Sequence, residues 1–405
     1  MKSIHKILRG LLAVSLAIVP LCSCGTQTES AEPVIDDGLP GFTVEGETDL
    51  TGNFYLSFPY TRDLIMLDGK GNIVWSKHED ISAPSGFGSF WDFKKHEVDG
   101  EIYYSYHDET GTYDNYGLMG YSPGERVILD KDFQEVKRIT FEASDVVAQG
   151  APLDGHDFLM IDLDHYILSG YIKDTVYNIP GYEDGTKVIF SYLQEVKDGQ
   201  VVWDFNSTDY PELYGLTTVA SESMIGADDF ANQLTDGPDY IHFNSMRIAD
   251  DGSLVCSFRH IHAILGLDRT ADRDQILWTL SGPGDEFGLH EWQKSSGQHY
   301  ASIDGDYITL FDNGNGSPSS RVISYRIDPT TKTLEAFRTY SLGNKYSEAC
   351  GSAQHLYDEV YVIGWGASIR DADCMSVCDF STGETLMTVT LDNPQSPTYR
   401  CVYYD

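Results

Sequence analysis

Three histidines stand at matching points of successive repeats in this chain, and one arginine faces them from a neighbouring strand. They lie in Gly155-His156-Asp157-Phe158, in Ile241-His242-Phe243-Asn244-Ser245 and in Gly297-Gln298-His299-Tyr300, with Ser257-Phe258-Arg259-His260 following the second. Each histidine precedes a short polar turn and an apolar strand, such as Tyr166-Ile167-Leu168 or Tyr307-Ile308-Thr309-Leu310. Imidazoles and a guanidinium gathered at one point suit a tetrahedral oxyanion, and one imidazole could serve as a nucleophile.

The elements that must position these groups are short strands separated by Gly/Asp/Asn turns, with almost no helical periodicity. A hairpin recurs: an apolar residue, an aspartate, a turn and a second strand. Its anchors are Asp68, Asp130, Asp198, Asp268, Asp328 and Asp379, spaced 62, 68, 70, 60 and 51 residues apart. Six such units predict an all-β fold, a six-bladed β-propeller with four-stranded blades over residues 41–405. A β-sandwich does not explain six similar units.

The repeats also predict where the side chains point. Aligned on the residue before the second strand (His165, Ser253, Asp306 and Glu359), His156 falls nine residues earlier, His242 eleven and His299 seven. All offsets are odd, so with matched turns the three share one strand face, as do Asn244 and Gln354. Innermost strands line a propeller channel, so this face is expected to be the channel wall. Arg259, six residues after Ser253, is expected on the returning strand at about the height of His242. Six other histidines (His78, His96, His107, His165, His262 and His290) read as ordinary hydrogen-bonded side chains.

The ordered set Ile241-His242-Phe243-Asn244-Ser245, Ser257-Phe258-Arg259-His260, Gln275-Ile276-Leu277-Trp278, Gln298-His299 and Thr309-Leu310-Phe311-Asp312-Asn313-Gly314 resembles the bacterial arylsulfate sulfotransferases. The resemblance continues through Gly351-Ser352-Ala353-Gln354 and Gly364-Trp365-Gly366. It implies a six-bladed propeller that moves a sulfuryl group from an aryl sulfate donor to a phenolic acceptor by ping-pong kinetics, without a nucleotide donor. It further implies His299 as the transiently sulfated residue, His242 as acid/base, Arg259 as the sulfate-binding arginine, His156 as a further channel histidine and Asn244 as a substrate contact. Two features depart from some members. The propeller is expected to begin almost directly after the tether, where some members carry an extra N-terminal β-domain, and a cysteine pair near the active site is not evident.

The first 23 residues read as a lipoprotein signal peptide. Lys2, Lys6 and Arg9 form a basic start, Leu11 to Leu21 an apolar run too short to span a bilayer, and Leu21-Cys22-Ser23-Cys24 a lipobox with Cys24 as the lipidated terminus. Residues 24–40 form a flexible tether, so the protein is expected to be exported and lipid-anchored to the cell envelope. The formal net charge is −36, and removal of Lys2, Lys6 and Arg9 with the signal leaves the mature chain close to −39. Such a chain repels nucleic acid, and an anionic substrate needs a local positive site.

Five further cysteines, Cys256, Cys350, Cys374, Cys378 and Cys401, are an odd number, so at least one is unpaired; Cys374 and Cys378, on one strand, lie too far apart to bond to each other. No metal-ligand spacing or phosphate-binding glycine loop is present, so no metal or cofactor is expected. Two rival classes stay open. One is a quinoprotein dehydrogenase or metal-dependent lactonase, for which Asp379-Phe380-Ser381-Thr382-Gly383 and Asp312 are the residues to watch. The other is a non-catalytic propeller lipoprotein that binds ligands or partners.

Overall fold

The computed structural model describes residues 38–59, 61–81, 88–118, 120–218, 237–315, 317, 319–368, 372–393 and 398–405. The signal peptide, the lipobox and Cys24 lie outside the described residues.

A first strand, β1 (Phe42–Gly46), precedes the ring. Blade 1 holds β2 (Asn53–Ser57), β3 (Asp63–Asp68) and β4 (Ile73–His78). Blade 2 holds β5 (Phe90–Val98), β6 (Glu101–Asp108), β7 (Glu125–Leu129) and β8 (Glu135–Ile139). In blade 3 come β9 (Leu159–Asp162), β10 (His165–Val176), β11 (Thr186–Lys197) and β12 (Gln200–Asn206). Blade 4 has β13 (Phe243–Ile248), β14 (Leu254–Phe258), β15 (Ala263–Leu267) and β16 (Ile276–Leu280). Blade 5 has β17 (His299–Asp304), β18 (Tyr307–Asp312), β19 (Arg321–Asp328) and β20 (Thr333–Ser341). Blade 6 has β21 (Ser352–Tyr357), β22 (Val360–Gly364), β23 (Asp373–Asp379) and β24 (Glu384–Leu391), and β25 (Arg400–Tyr404) ends the chain.

These strands form six antiparallel sheets. The last strand, β25, pairs with β2 and becomes the innermost strand of blade 1, so the two ends of the domain are sewn into one sheet. Blade 6 gains a fifth strand, because β1 pairs with the outer edge of β24. The expected six-bladed all-β propeller is thus present, with this one addition to the four-stranded pattern.

All six aspartate anchors fall at one place, the turn between the third and fourth strands of a blade. The reason is local. The Asp68 carboxylate accepts the Lys70 and Asn72 N–H groups at 2.9 Å each, and Asp130 does the same for Asp132 and Gln134. Asp328 and Asp379 likewise take backbone N–H groups two and three residues on. Such side-chain turns satisfy backbone donors that a reversing strand leaves unpaired. Asp198 works differently. With Gly199 it occupies left-handed conformations (φ 50° and 70°), which suit a two-residue hairpin.

The core lies between blades. Tyr55, Leu64, Trp75, Phe90 and Tyr104 fill the space between blades 1 and 2, and Ile264, Trp278, Leu310, Ile323 and Tyr325 that between blades 4 and 5. Every sheet is therefore apolar on both faces, which is the patterning of face-to-face sheet packing rather than of a solvated sheet. The channel is what this packing leaves free for polar groups.

Candidate active site

Each innermost strand begins at the same end of the ring, and several begin irregularly. The ladder slips between Trp91 and Lys94 in β5, between Phe243 and Ser245 in β13 and between His299 and Ser302 in β17. Asp92, His242 and Tyr300 take left-handed backbone conformations there (φ 51–54°), uncommon for residues with a side chain. Bulges re-aim side chains. Here they turn the residues at the strand starts toward the axis.

Three histidines and the arginine converge at this end. The His156 and His242 rings meet edge to face at 5.0 Å, and His242 packs on His260 at 4.6 Å. His299 is close enough that Arg259, His156 and His242 all act on its charge. Arg259 lies just past β14, in the short 3-10 turn Arg259–Ile261, rather than on the returning strand. Trp91 and Tyr399 complete the wall, 6.0 and 5.9 Å from the His156 ring.

The three rings are held by different partners. His156 Nδ1 donates to Asp154 Oδ2 at 2.6 Å, and His242 Nδ1 to Asp239 Oδ2 at 2.5 Å. Carboxylates at Nδ1 fix the tautomer, leave Nε2 toward the channel and support positive charge on the ring during proton transfer. His299 has no carboxylate. Its Nδ1 donates to Asn313 Oδ1 at 2.7 Å and faces the Gly297 carbonyl at 3.1 Å. The Asn313 amide cannot turn round, because its nitrogen donates to the Ser347 and Cys350 carbonyls at 3.0 Å each. The proton therefore sits on Nδ1 and the lone pair on Nε2, which receives the Cys350 N–H at 3.2 Å. Burial, and then the nearby Arg259 guanidinium, hold the His299 pKa well below the usual range for histidine. The ring is a neutral imidazole with an in-plane lone pair, the nucleophilic form.

Arg259 Nη1 donates to His260 Nε2 at 2.7 Å, and Nη2 meets the Asn315 amide oxygen at 2.9 Å. His260 in turn donates from Nδ1 to the Asp239 carbonyl at 2.5 Å. Asn244 is fully buried and donates to the Gln298 carbonyl at 2.7 Å, tying blade 4 to blade 5, while its Oδ1 has no partner among the described residues. Gln354 lies further down the channel, its amide paired with the Tyr403 backbone.

Asp239, His242 and His260 lie close enough to share a cation. The fit is poor, because the Arg259 guanidinium already donates into His260 and His260 donates to a carbonyl. A positive charge built into the set suits an anion instead. Asp312, the other residue considered for a metal, is occupied by Arg321 Nε at 2.7 Å and the Ser296 N–H at 2.8 Å. Residues 379–383 form the turn between β23 and β24.

The sequence model of the arylsulfotransferase (ASST) family matches residues 111–370, more than half of the chain and all of the segment that carries the three histidines and Arg259. The chain belongs to the arylsulfotransferase family. No curated protein sequence matches it. Among solved structures it is similar to a protein of unknown function from Bacteroides caccae, at 9% identity over 87% of this chain and 98% of that one, with a TM-score of 0.44. It is also similar to a Lactobacillus plantarum protein, at 11% identity over 88% and 100%, with a TM-score of 0.42.

Several groups around these rings were given no role from the sequence. Asp154, Asp239 and Asn313 hold the rings, and His260 bridges Arg259 to Asp239. The two aspartates stand two and three residues before their histidines, and Asn313 and His260 stand inside the motifs that carry the family resemblance. All five described cysteines are free thiols. Cys350 is the one beside the site, its thiol pushed up to about 12 by burial despite the opposing pull of Arg400 and Arg259. The expected face-sharing rested on unbroken strand alternation, which the bulges break. His299 opens the β17 bulge and His242 stands just before the β13 bulge, while His156 lies in the segment that leads into β9.

Proposed function

We propose that this protein transfers a sulfuryl group from an aryl sulfate to a phenol by a ping-pong route through a sulfohistidine at His299, without a nucleotide donor. The observation that carries the reading is the contrast in ring partners. His299 rests on an amide and is held neutral with Nε2 bare of a proton, whereas His242 and His156 rest on carboxylates.

In the first half-reaction the His299 Nε2 lone pair attacks sulfur, displacing its 3.2 Å contact with the Cys350 N–H. An N–S bond forms as the S–O bond to the aryl group breaks, and the phenolate oxygen takes a proton from His242 Nε2. Asp239 supports the imidazolium before that transfer. The Arg259 fork faces the sulfuryl oxygens, where charge is greatest. In the second half-reaction His242 removes the proton of an incoming phenol, whose oxygen attacks sulfur and returns the electron pair of the N–S bond to His299. Asn244 contributes less directly, by setting the start of β13 against blade 5.

Mixing the protein with 4-nitrophenyl sulfate alone tests this. The expected result is one equivalent of nitrophenol per chain and one sulfuryl increment on the peptide holding His299, both lost in His299→Ala. Steady turnover with an acceptor but no labelled peptide would replace the covalent route by direct transfer. No turnover with any phenol would favour a binding propeller. Export and lipidation at Cys24 belong to the same proposal, and the mass of the mature N-terminus tests them.

A further inference from the structure

The channel does not run open from the histidines to the other face. Arg400, on the innermost strand of blade 1, reaches across the axis. Its guanidinium donates from Nη1 to Asp92 Oδ1 of blade 2 at 2.9 Å and from Nη2 to the Asn244 carbonyl of blade 4, the opposite blade. Lys94 bonds Asp157 and lies 3.0 Å from Asp92, while Arg126 bonds Asp92 and Arg247 bonds Asp157. Four cations thus share two carboxylates in a buried plug, in a chain whose net charge is −36.

Beyond this plug lies a cavity of about 360 Å³, lined by all six innermost strands. Tyr404, Lys94, Leu159, Arg247, Tyr300 and Gln354 represent blades 1 to 6 in order. Asp304 stands at the far end of β17 from His299, about 16 Å away by strand rise, while Tyr300, next to His299, lines the cavity at the plug, so the plug itself divides the cavity from the histidine cluster.

We propose that this axial cavity is a second binding site, for a small organic anion with an apolar body. Three features point to that class. The plug beside it carries two positive charges more than its carboxylates offset. Arg247 is incompletely spent on the plug: Nη1 bonds Asp157 Oδ2 and the Met246 carbonyl, and the guanidinium lies 4.6 Å over the Tyr300 ring while lining the cavity. The remaining wall mixes apolar groups such as Leu159, Met160 and Val402 with hydroxyls from Ser302 and Tyr404. His96, also on the wall, is held neutral by burial and then by Lys94, its pKa lowered to about 3, so it serves as a hydrogen-bonding group. The one carboxylate of the wall, Asp304, is tied to His355 at 2.5 Å. A cavity of this size with a few convergent polar groups is what small-molecule sites require.

Titration calorimetry of the full chain with benzoate, which is neither a sulfuryl donor nor a phenol, tests the assignment. One equivalent is expected to bind in the axial cavity, distinct from any that the Arg259 site takes up. Arg247→Gln is expected to weaken binding by at least about tenfold, the worth of one charge-assisted hydrogen bond, whereas Arg259→Gln, at the histidine end, leaves it unchanged. Leu159→Trp, which fills the cavity without touching the plug, is expected to abolish binding and covers the case in which Arg247→Gln fails to fold. Absence of saturable binding, binding lost in Arg259→Gln but kept in Arg247→Gln, or binding kept in Leu159→Trp would each overturn the assignment.

Discussion

At the scale of single residues, the chemistry of the site is set by what stands behind each ring. Asn313→Leu removes the amide that keeps the His299 proton on Nδ1. Loss of such an orienting partner costs about 10- to 100-fold, and the nitrophenol burst rate with donor alone should fall by that amount. Asp239→Asn should slow both proton-transfer steps comparably and shift the pH profile of the acceptor step, because an amide no longer supports the imidazolium. Arg259→Lys should lose about 100-fold although charge is kept, since a single ammonium cannot hold two sulfuryl oxygens at once; near-normal turnover would assign Arg259 a structural role. The depressed pKa of His299 predicts that burst amplitude does not fall as pH drops from 7 through 6.5, where an ordinary histidine would begin to protonate. The histidines and Arg259 were legible because residue type and repeat position coincide. Asn313 was not, because it stands 14 residues from His299 and only the β17–β18 pairing brings it back.

At the scale of elements, the aspartate hairpins show what a sequence writes most plainly. A carboxylate, a tight turn and two flanking strands are all local, and the six anchors mark the outer turns of all six blades. Asp68→Ala removes two backbone acceptor contacts and the Asn72 side-chain contacts far from the channel. It should cost about 1 kcal/mol of stability, read as a lower denaturant midpoint, with unchanged turnover. The bulges at the channel are the opposite case. Their left-handed residues Asp92, His242 and Tyr300 are not glycines, so nothing in the sequence announces a break in alternation. One close approach depends on a glycine. A Cβ at Gly120 would stand 2.9 Å from His242 Cε1. Gly120→Ala should therefore displace the ring, lowering turnover while the melting temperature changes little.

At the scale of the whole molecule, closure and buried histidines decide stability. The ring is held shut by β25 against β2, and that same strand carries Arg400 into the plug. The repeat count predicted six blades but not which strand closes them, since that pairing joins residues some 350 positions apart. Burial first, and then Lys94 for His96 and Arg126 for His107, keep both rings neutral, with pKa values lowered to about 3 and about 4. The unfolded chain takes up protons at these positions near pH 6.5 while the folded chain does not. Their contribution is therefore full above pH 6.5 and is lost as pH falls toward 4, at up to about 1.4 kcal/mol per unit for each group. Chemical denaturation between pH 7 and 5 should show wild type losing stability faster than His107→Gln, which keeps a donor for the Ser122 carbonyl.

The plug also closes the channel beyond the histidines. On the proposed ping-pong route, the departing phenol and the incoming one must then reach His299 from the same side. A phenol just released stands where an acceptor must stand, so it can pick the sulfuryl group up again. Isotopically labelled nitrophenol, mixed with unlabelled nitrophenyl sulfate and no other acceptor, should therefore exchange into the ester pool while net sulfate transfer is zero.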